Sequence, residues 1–307
     1  LIPDFAINNM QIFSGGDPIF GQNAIGGAIS MQMKNGFDNE GIKTTFSGGT
    51  YGRTNEVVEY GKAFEDYAVY LGANFNVDKG WRDQSESYLE TFYSDFRYRG
   101  EDTELFMNIG QAFTDLRGNG AVPLTLIPLE GESAVYTHPD NTHNKNYYAN
   151  FGGNHFVNDK LSIQGNMYYR HMERRNYNGD EFDGKDCGFN FDRGGGAADG
   201  TLCGEYESNA AADAVNILDL AGAEINYERL GLELDDDENE IENGGAINRS
   251  NTKTNAFGLN LQSTIDSSLI GKKNTFIGGV NYDFSKNSFA SSTELGIVMG
   301  DRGVQGT

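Results

Sequence analysis

The stretch YAVYLGANFNVDKGW, residues 67–81, alternates in side-chain character from its first residue to Asp78. Tyr67, Val69, Leu71, Ala73, Phe75 and Val77 fall on one face of an extended chain; Ala68, Tyr70, Gly72, Asn74, Asn76 and Asp78 fall on the other. Successive strand side chains point in opposite directions, so the segment offers one apolar face and one small or polar face. LSIQGNMYYRH (161–171) divides in the same way, with Leu161, Ile163, Gly165, Met167 and Tyr169 opposite Ser162, Gln164, Asn166, Tyr168 and Arg170. In TFIGGVNYDF (275–284), Phe276, Val280, Tyr282 and Phe284 oppose Ile277, Gly279, Asn281 and Asp283. Such alternation suits a soluble sandwich as well as a barrel, so the connections must decide between them.

The connections alternate in length. A tight link at FEDY (64–67) is followed by a longer one at DKGWRDQSES (78–87), and a tight one at GED (100–102) by a long one from about Asp115 to Asn146. The tight link VNDK (157–160) then precedes a very long insertion from about Asn178 to Lys253, and a shorter link covers Ser267 to Lys273. Short and long in turn is the signature of an up-and-down meander whose turns are minimal on one side and elaborated on the other, as in membrane barrels. Segments of roughly 10 or more residues also match tilted membrane strands better than the 5 to 6 residues usual in soluble sheets.

Composition agrees. The chain has 307 residues, 41 glycines, 5 prolines, 16 tyrosines and 20 phenylalanines, and its hydrophobic content of 37% includes no run long enough for a helical membrane span. A barrel hides its apolar residues in every second position and keeps its mean hydropathy low, while its aromatic residues form interfacial belts. A net charge of −22 repels phosphate backbones and disfavours a nucleic-acid partner. There is no Gly-x-Ser-x-Gly, no phosphate-binding loop and no rigidly placed carboxylate pair, so an enzyme is not expected, and no cofactor is implied. Leu1 to Ile7 is neither basic nor apolar enough for a signal peptide, and the natural beginning of the protein is expected to lie upstream.

Residues 2–37, IPDFAINNMQIFSGGDPIFGQNAIGGAISMQMKNGF, resemble the end of the plug domain of TonB-dependent outer-membrane receptors. The resemblance is carried by Ile12, Gly16, Pro18, Phe20, Gly21, Asn23, Ala24, Gly26, Gly27, Ile29 and Lys34, with Asp17 a departure from the usual uncharged or basic residue. Glycines at 21, 26 and 27 suit positive φ and close backbone approach within a plug. GGTYGR (48–53), DKGWRDQS (78–85) and NTFIGGVNYDFSKNSFASSTELG (274–296) also resemble barrel segments of the family. The resemblance implies an all-β chain in the outer membrane of a Gram-negative bacterium. Residues 1–36 would be the C-terminal part of the plug and 37–307 the first nine or ten strands of a 22-stranded antiparallel barrel. The implied activity is import of a scarce small ligand, such as an iron siderophore, cobalamin or saccharide, energised by the TonB complex, with outer-membrane lipid around the barrel. A passive channel, an adhesin or a secreted β enzyme are the competing readings.

On this reading Tyr70, Asn74, Tyr93, Arg97, Arg99, Gln164, Tyr168 and Arg170 face the lumen and pack against the plug by hydrogen bonds and ion pairs. Trp81 and Arg82, in the second external loop, are candidate ligand contacts or interface anchors. His138 and His143 flank Asp140 in the third external loop and are either ligand or metal contacts or ordinary loop residues; the metal is left unknown. His155 and His171 sit near strand ends. Between Asp180 and Arg249 lie 19 carboxylates and 4 bases, a local charge near −15, densest in LDDDENEIEN (234–243). This is a solvated loop, a divalent-cation site or an attractor of cationic ligands. DAVNILDLAGAEINYERLG (213–231) has helix-like apolar spacing and predicts a short helix over the barrel mouth.

Cys187 and Cys203, the only cysteines, both fall in that insertion and are expected to form a disulfide, with free thiols or metal ligation the alternatives. Alkylation of the unreduced, denatured protein followed by mass spectrometry should label neither cysteine; labelling of both would exclude the bridge.

Overall fold

A computed structural model describes residues 2–15, 26–182, 184–186, 202–204, 215–216, 223, 225–233 and 241–306. β1 (Ile7–Ser14) and β2 (Gly27–Met33) form a separate antiparallel pair. The main sheet is a meander. Its strands are β3 (Gly41–Gly48), β4 (Thr54–Phe64), β5 (Tyr67–Asp78), β6 (Ser87–Arg99), β7 (Thr103–Arg117), β8 (Asp140–Asn158) and β9 (Leu161–Glu181). Within the long insertion, β10 (Gly184–Asp186), β11 (Leu202–Gly204) and β12 (Val215–Asn216) make a small sheet of their own. The meander then resumes with β13 (Gly244–Leu269), β14 (Lys272–Val298) and the short β15 (Val304–Gly306). All ten main strands pair antiparallel in sequence order, β3 and β15 forming the two edges, so the sheet is an open, partial barrel.

The expected faces are those observed. On β5, Tyr70 and Asn74 are buried at 1% and 6% exposure, whereas Tyr67 and Phe75 on the opposite face are exposed at 61% and 49%. The buried face is covered by the N-terminal segment and is the inner face. The outer face is an apolar band. Its lower margin is the register row Phe64, Tyr67, Tyr98 and Leu105, in which the Tyr67 and Tyr98 rings lie 5.1 Å apart. Its upper margin is the row Phe92, Gln111, Tyr147 and His171, with Phe113 edge-on to Tyr147 at 5.5 Å. Between them stand Phe96, Met107, Ile109, Phe151, Met167 and Leu259, all substantially exposed.

Three connections are shorter than the sequence suggests. β7 runs to Arg117 and β8 starts at Asp140, which confines the third external loop to 118–139; β9 runs to Glu181 and β13 starts at Gly244, which confines the insertion to 182–243; β13 and β14 meet across Ile270 and Gly271 alone. In these places polar residues occupy both faces over much of the strand, so hydropathy loses its period while backbone pairing continues. The helix expected over Asp213–Gly231 is not what the described residues show. Val215–Asn216 pairs with β11, and only Glu228–Leu230 makes a helical turn, a 3-10 turn ended by Gly231 at φ 74°. Its apolar residues are drawn elsewhere: Ile225, Tyr227 and Leu230 pack with Leu232, Ile241, Phe182, Leu295 and Ile297, a cluster that roots the insertion on the strand ends.

The turn between β13 and β14 has φ 52° at Ile270 and 71° at Gly271, the two positive values of a tight hairpin turn whose twist matches the flanking strands. A β-branched residue is strained in this region, and Ile270 recovers nothing by burial, being 96% exposed. Ile270→Asn is therefore expected to stabilise the intact protein by about 1 kcal/mol, read as a higher midpoint of thermal unfolding in detergent. An unchanged or lower midpoint would contradict the strain.

Candidate functional site at the seam between the N-terminal segment and the inner wall

The inner wall is polar, and one carboxylate organises its contact with the N-terminal segment. Glu59 of β4 points inward opposite Gly72 of β5. It takes an ion pair from Lys34, just beyond β2, a second from Lys43 of β3 at 3.2 Å, and a hydrogen bond from the Tyr70 hydroxyl at 2.7 Å. The Lys34 and Glu59 side chains are only 15% and 6% exposed, so each charge depends on its partner. Beside this pair, Ala6 packs on Tyr70 and Tyr93, and the Phe5 ring lies over Gly72, where an added Cβ would come within 2.2 Å of it. Within the N-terminal segment the Lys34 amide donates to the Ala6 carbonyl at 2.7 Å, which holds its two contact points side by side.

The chain then leaves the wall through a turn built on Asn35, which is 1% exposed. Its side-chain oxygen accepts from the Phe37 and Asp38 amides at 2.9 and 3.1 Å, and its amide donates to Asp38 at 2.7 Å. A side chain that mimics a backbone turn reverses the path into β3 without helix or sheet. Arg99 stacks over Phe37 at 4.3 Å and pins the exit to the base of β6.

Further round the wall, Asp95 is fully buried and held by Arg97 at 3.0 Å and by the Asn108 amide at 2.5 Å. Asn108 also donates to the Tyr93 hydroxyl at 3.1 Å, and Arg97 reaches Glu104 at 3.3 Å. Asn166 donates to Asn150 at 3.0 Å, Asn260 to Asn166 at 3.1 Å and Asn281 to Asn260, an amide ladder across β8, β9, β13 and β14. Arg97, Glu104, Gln164, Gln262 and the ladder's Asn166, Asn260 and Asn281 line a concave space of about 820 Å³.

Of the residues singled out in the sequence, Gly16, Pro18, Phe20, Gly21, Asn23 and Ala24 lie outside the described residues. Gly27 is described and requires its glycine: φ is 150°, and an added Cβ would meet the Phe13 carbonyl oxygen at 2.6 Å. Gly26 has open space around it. Tyr70, Asn74, Tyr93 and Arg97 face inward as expected, and Tyr168 donates to Asp283 at 2.6 Å. Arg82 has its guanidinium on the carbonyls of Ala134 at 2.9 Å and Gly120 at 2.8 Å, stapling the second external loop to the third, with Trp81 exposed beneath it.

The structure does not join His138 and His143 with Asp140 into a ligand set. Strand alternation sends His143 to the outer face, where it meets Asp115 at 3.4 Å, while His138 contacts the Asp301 carbonyl at 3.1 Å and bridges Gly303. Among the described residues no group of three His, Cys, Asp or Glu side chains is placed to hold a metal. Cys187 and most of the acidic run 234–243 lie outside the described residues, so the disulfide and the cation-binding reading stay expectations. Glu59, Asp95 and Asn108 were not singled out from sequence. A charged or amide residue on the face opposite an apolar run was the available signal.

No family model and no curated protein matches the chain. Solved structures do. The pyoverdine outer membrane receptor FpvA from Pseudomonas aeruginosa superposes with a TM-score of 0.64 at 10% identity, over 98% of this chain and 40% of that one. BauA, the ferric preacinetobactin receptor from Acinetobacter baumannii, gives 0.59 at 9% identity, over 94% of this chain and 37% of that one. Fiu, the ferric-catecholate import receptor from E. coli, gives 0.51 at 12% identity, over 95% of this chain and 57% of that one. The chain thus spans less than two thirds of the length of each. Its fold is that of part of the barrel of outer-membrane siderophore receptors.

Proposed function

We propose that this chain is part of a TonB-dependent outer-membrane receptor, in which residues up to about 36 are the end of a plug and 37–307 are barrel wall. The observation that carries the reading is the seam at Glu59. An N-terminal segment lies against the inner wall of a partial barrel, held by a buried ion pair, a tyrosine hydrogen bond and a small apolar contact. A freely open channel has no use for such an occupant. A secreted enzyme has no use for a broad apolar band on its outer face.

The receptor works as a gated pore. The plug blocks the lumen until the inner-membrane complex, acting through TonB, does work on it, so import runs against a gradient. Polar contacts serve such a seam well, because groups that part can exchange one another for water, whereas an extended apolar contact would have to be torn open. The structural neighbours are named for ferric siderophores, which supports an iron chelate as the cargo; external loops such as 79–86 and 118–139 would share its capture with the plug. The test is uptake of radiolabelled ferric chelates by cells that express the intact protein in place of their own receptors, with and without a functional TonB. Saturable uptake that requires TonB is expected. TonB-independent leakage would point to a passive channel, and no outer-membrane association would sink the membrane reading altogether.

The seam makes its own prediction. Glu59→Leu leaves Lys34 buried without its counter-charge and is expected to cost about 3 kcal/mol of seam stability. The pair Glu59→Leu with Lys34→Met removes both charges and recovers most of it. The readout is the urea concentration at which a protease begins to cut the N-terminal segment of the detergent-solubilised protein. Equal sensitivity of the single and double variants would show that Lys34 and Glu59 do not act as a pair.

A further inference from the structure

The inner wall holds a second polar recess, beside the seam but toward the long loops. Outward of Gly72, over which the Phe5 ring lies, the next register row on the inner face holds Asn74 of β5 and Thr91 of β6. The row after it holds Ser47, Asn55 and Asn76 of β3, β4 and β5. These residues line a space of about 680 Å³, to which the N-terminal segment contributes Ile2, Pro3 and Asp4. Asn74 and Thr91 are buried at 6% and 7% exposure, yet the Asn74 side-chain oxygen and the Thr91 hydroxyl have no hydrogen-bond partner among the described residues. A buried polar group without a partner is costly, so this part of the wall keeps an unmet demand for hydrogen bonds.

The charge on this lining is balanced. Asp4 and Arg53 are its two ionised residues, and Arg53 also lies 4.0 Å from Asp78. An anionic ligand gains little from a guanidinium already beside a carboxylate. The other polar side chains are amides and hydroxyls, which both donate and accept; Asn76 donates to Asn55 at 3.2 Å. Across strands these groups stand about 5 Å apart and along β5 about 7 Å, a spacing that the hydroxyls of one or two sugar rings span. The Asn74 oxygen needs a donor, which a hydroxyl supplies and a metal-bound oxygen does not. The volume is that of an ordinary small-molecule site. We infer that the space binds a neutral, hydroxyl-rich small molecule of the saccharide class, held between the wall and the N-terminal segment. The inference rests on the receptor reading above for the role of the seam. Because such a ligand touches both sides, its occupancy braces the contact at Glu59 against opening.

The test titrates the intact protein, in a detergent without a sugar headgroup, with glucose, maltose and trehalose by isothermal calorimetry. Saturable binding of at least one of them is expected. Asn74→Leu with Thr91→Val nearly keeps the side-chain volumes and removes both unpartnered groups, so a merely structural role predicts unchanged or higher stability and nothing more. The double variant should hold or raise its thermal midpoint and bind the sugar at least about tenfold more weakly. Bound sugar should also raise the urea concentration at which a protease begins to cut the N-terminal segment, in the wild-type protein and not in the variant. No binding of any of the three sugars, or binding that the double variant keeps, would overturn the site. Displacement of the sugar by a lower concentration of a neutral ferric hydroxamate chelate would overturn the saccharide class and assign the space to the chelate. TonB-dependent uptake of ferric chelates with no sugar bound would leave the receptor reading standing without this site. Sugar binding by a protein that does not associate with the outer membrane would overturn the receptor reading instead.

Discussion

The rest of the structure depends on register. Ten strands are joined in sequence order, and from β4 to β14 each interior strand is hydrogen-bonded to a neighbour on both sides. Because side chains alternate with a period of two, a slip of one residue in any pair would carry the apolar band to the inside and the buried carboxylates to the outside. The tight turns hold that register. Glu65 and Asp66 join β4 to β5, the Asn158 side chain caps the turn into β9, and Ile270 and Gly271 close the longest hairpin. Rows of unlike character across many strands, aromatic, amide or charged, exist only because every pair keeps step.

That constraint lets the two faces carry separate duties. Inside, burial makes charge expensive, so Glu59 and Asp95 occur with partners on several sides: Lys34, Lys43 and Tyr70 for the first, Arg97 and Asn108 for the second. Outside, apolar residues need no partners beyond the band itself, and charge appears only at its margin. The N-terminal segment is attached through few groups, most of them polar, and its own strands leave Ile12 and Ile29 exposed at 75% and 58%. A segment held by a point contact can part from the wall without unravelling it, because no ladder bond joins β1 or β2 to the main sheet.

Much of the wall was legible in the sequence because alternation is local. The strands around Tyr67, Leu161 and Phe276, the faces of Tyr70, Asn74 and Tyr93, and the tight links at 64–67, 100–102 and 157–160 all follow from period two and turn chemistry. What escaped depends on distant residues or on both faces being polar. Nothing near Glu59 announces Lys34 or Tyr70 as its partners, and nothing near Gly72 announces Phe5. The strand extensions from Asp140 and over 244–253 looked like loops, since solvated strands lose the apolar half of their pattern. Within the helix expected at 213–231, the described residues obey a distant demand: Ile225, Tyr227 and Leu230 serve a cluster drawn from 182 to 297. His138 and His143 were close in sequence and were parted by alternation.

The strands also lengthen steadily across the sheet, from 8 residues in β3 through 15 in β7 and 21 in β9 to 27 in β14. At about 3.3 Å per residue, that is a rise from about 26 Å to about 90 Å of extended chain. The minimal turns lie together at one end of the strands, so the added length accumulates at the other. The mouth therefore has a low sill beside β3 and a tall parapet beside β14, and the acidic insertion joins β9 to β13 on the tall side. The described wall is thus asymmetric, with its longest hairpin, β13 and β14, reaching farthest beyond the apolar band.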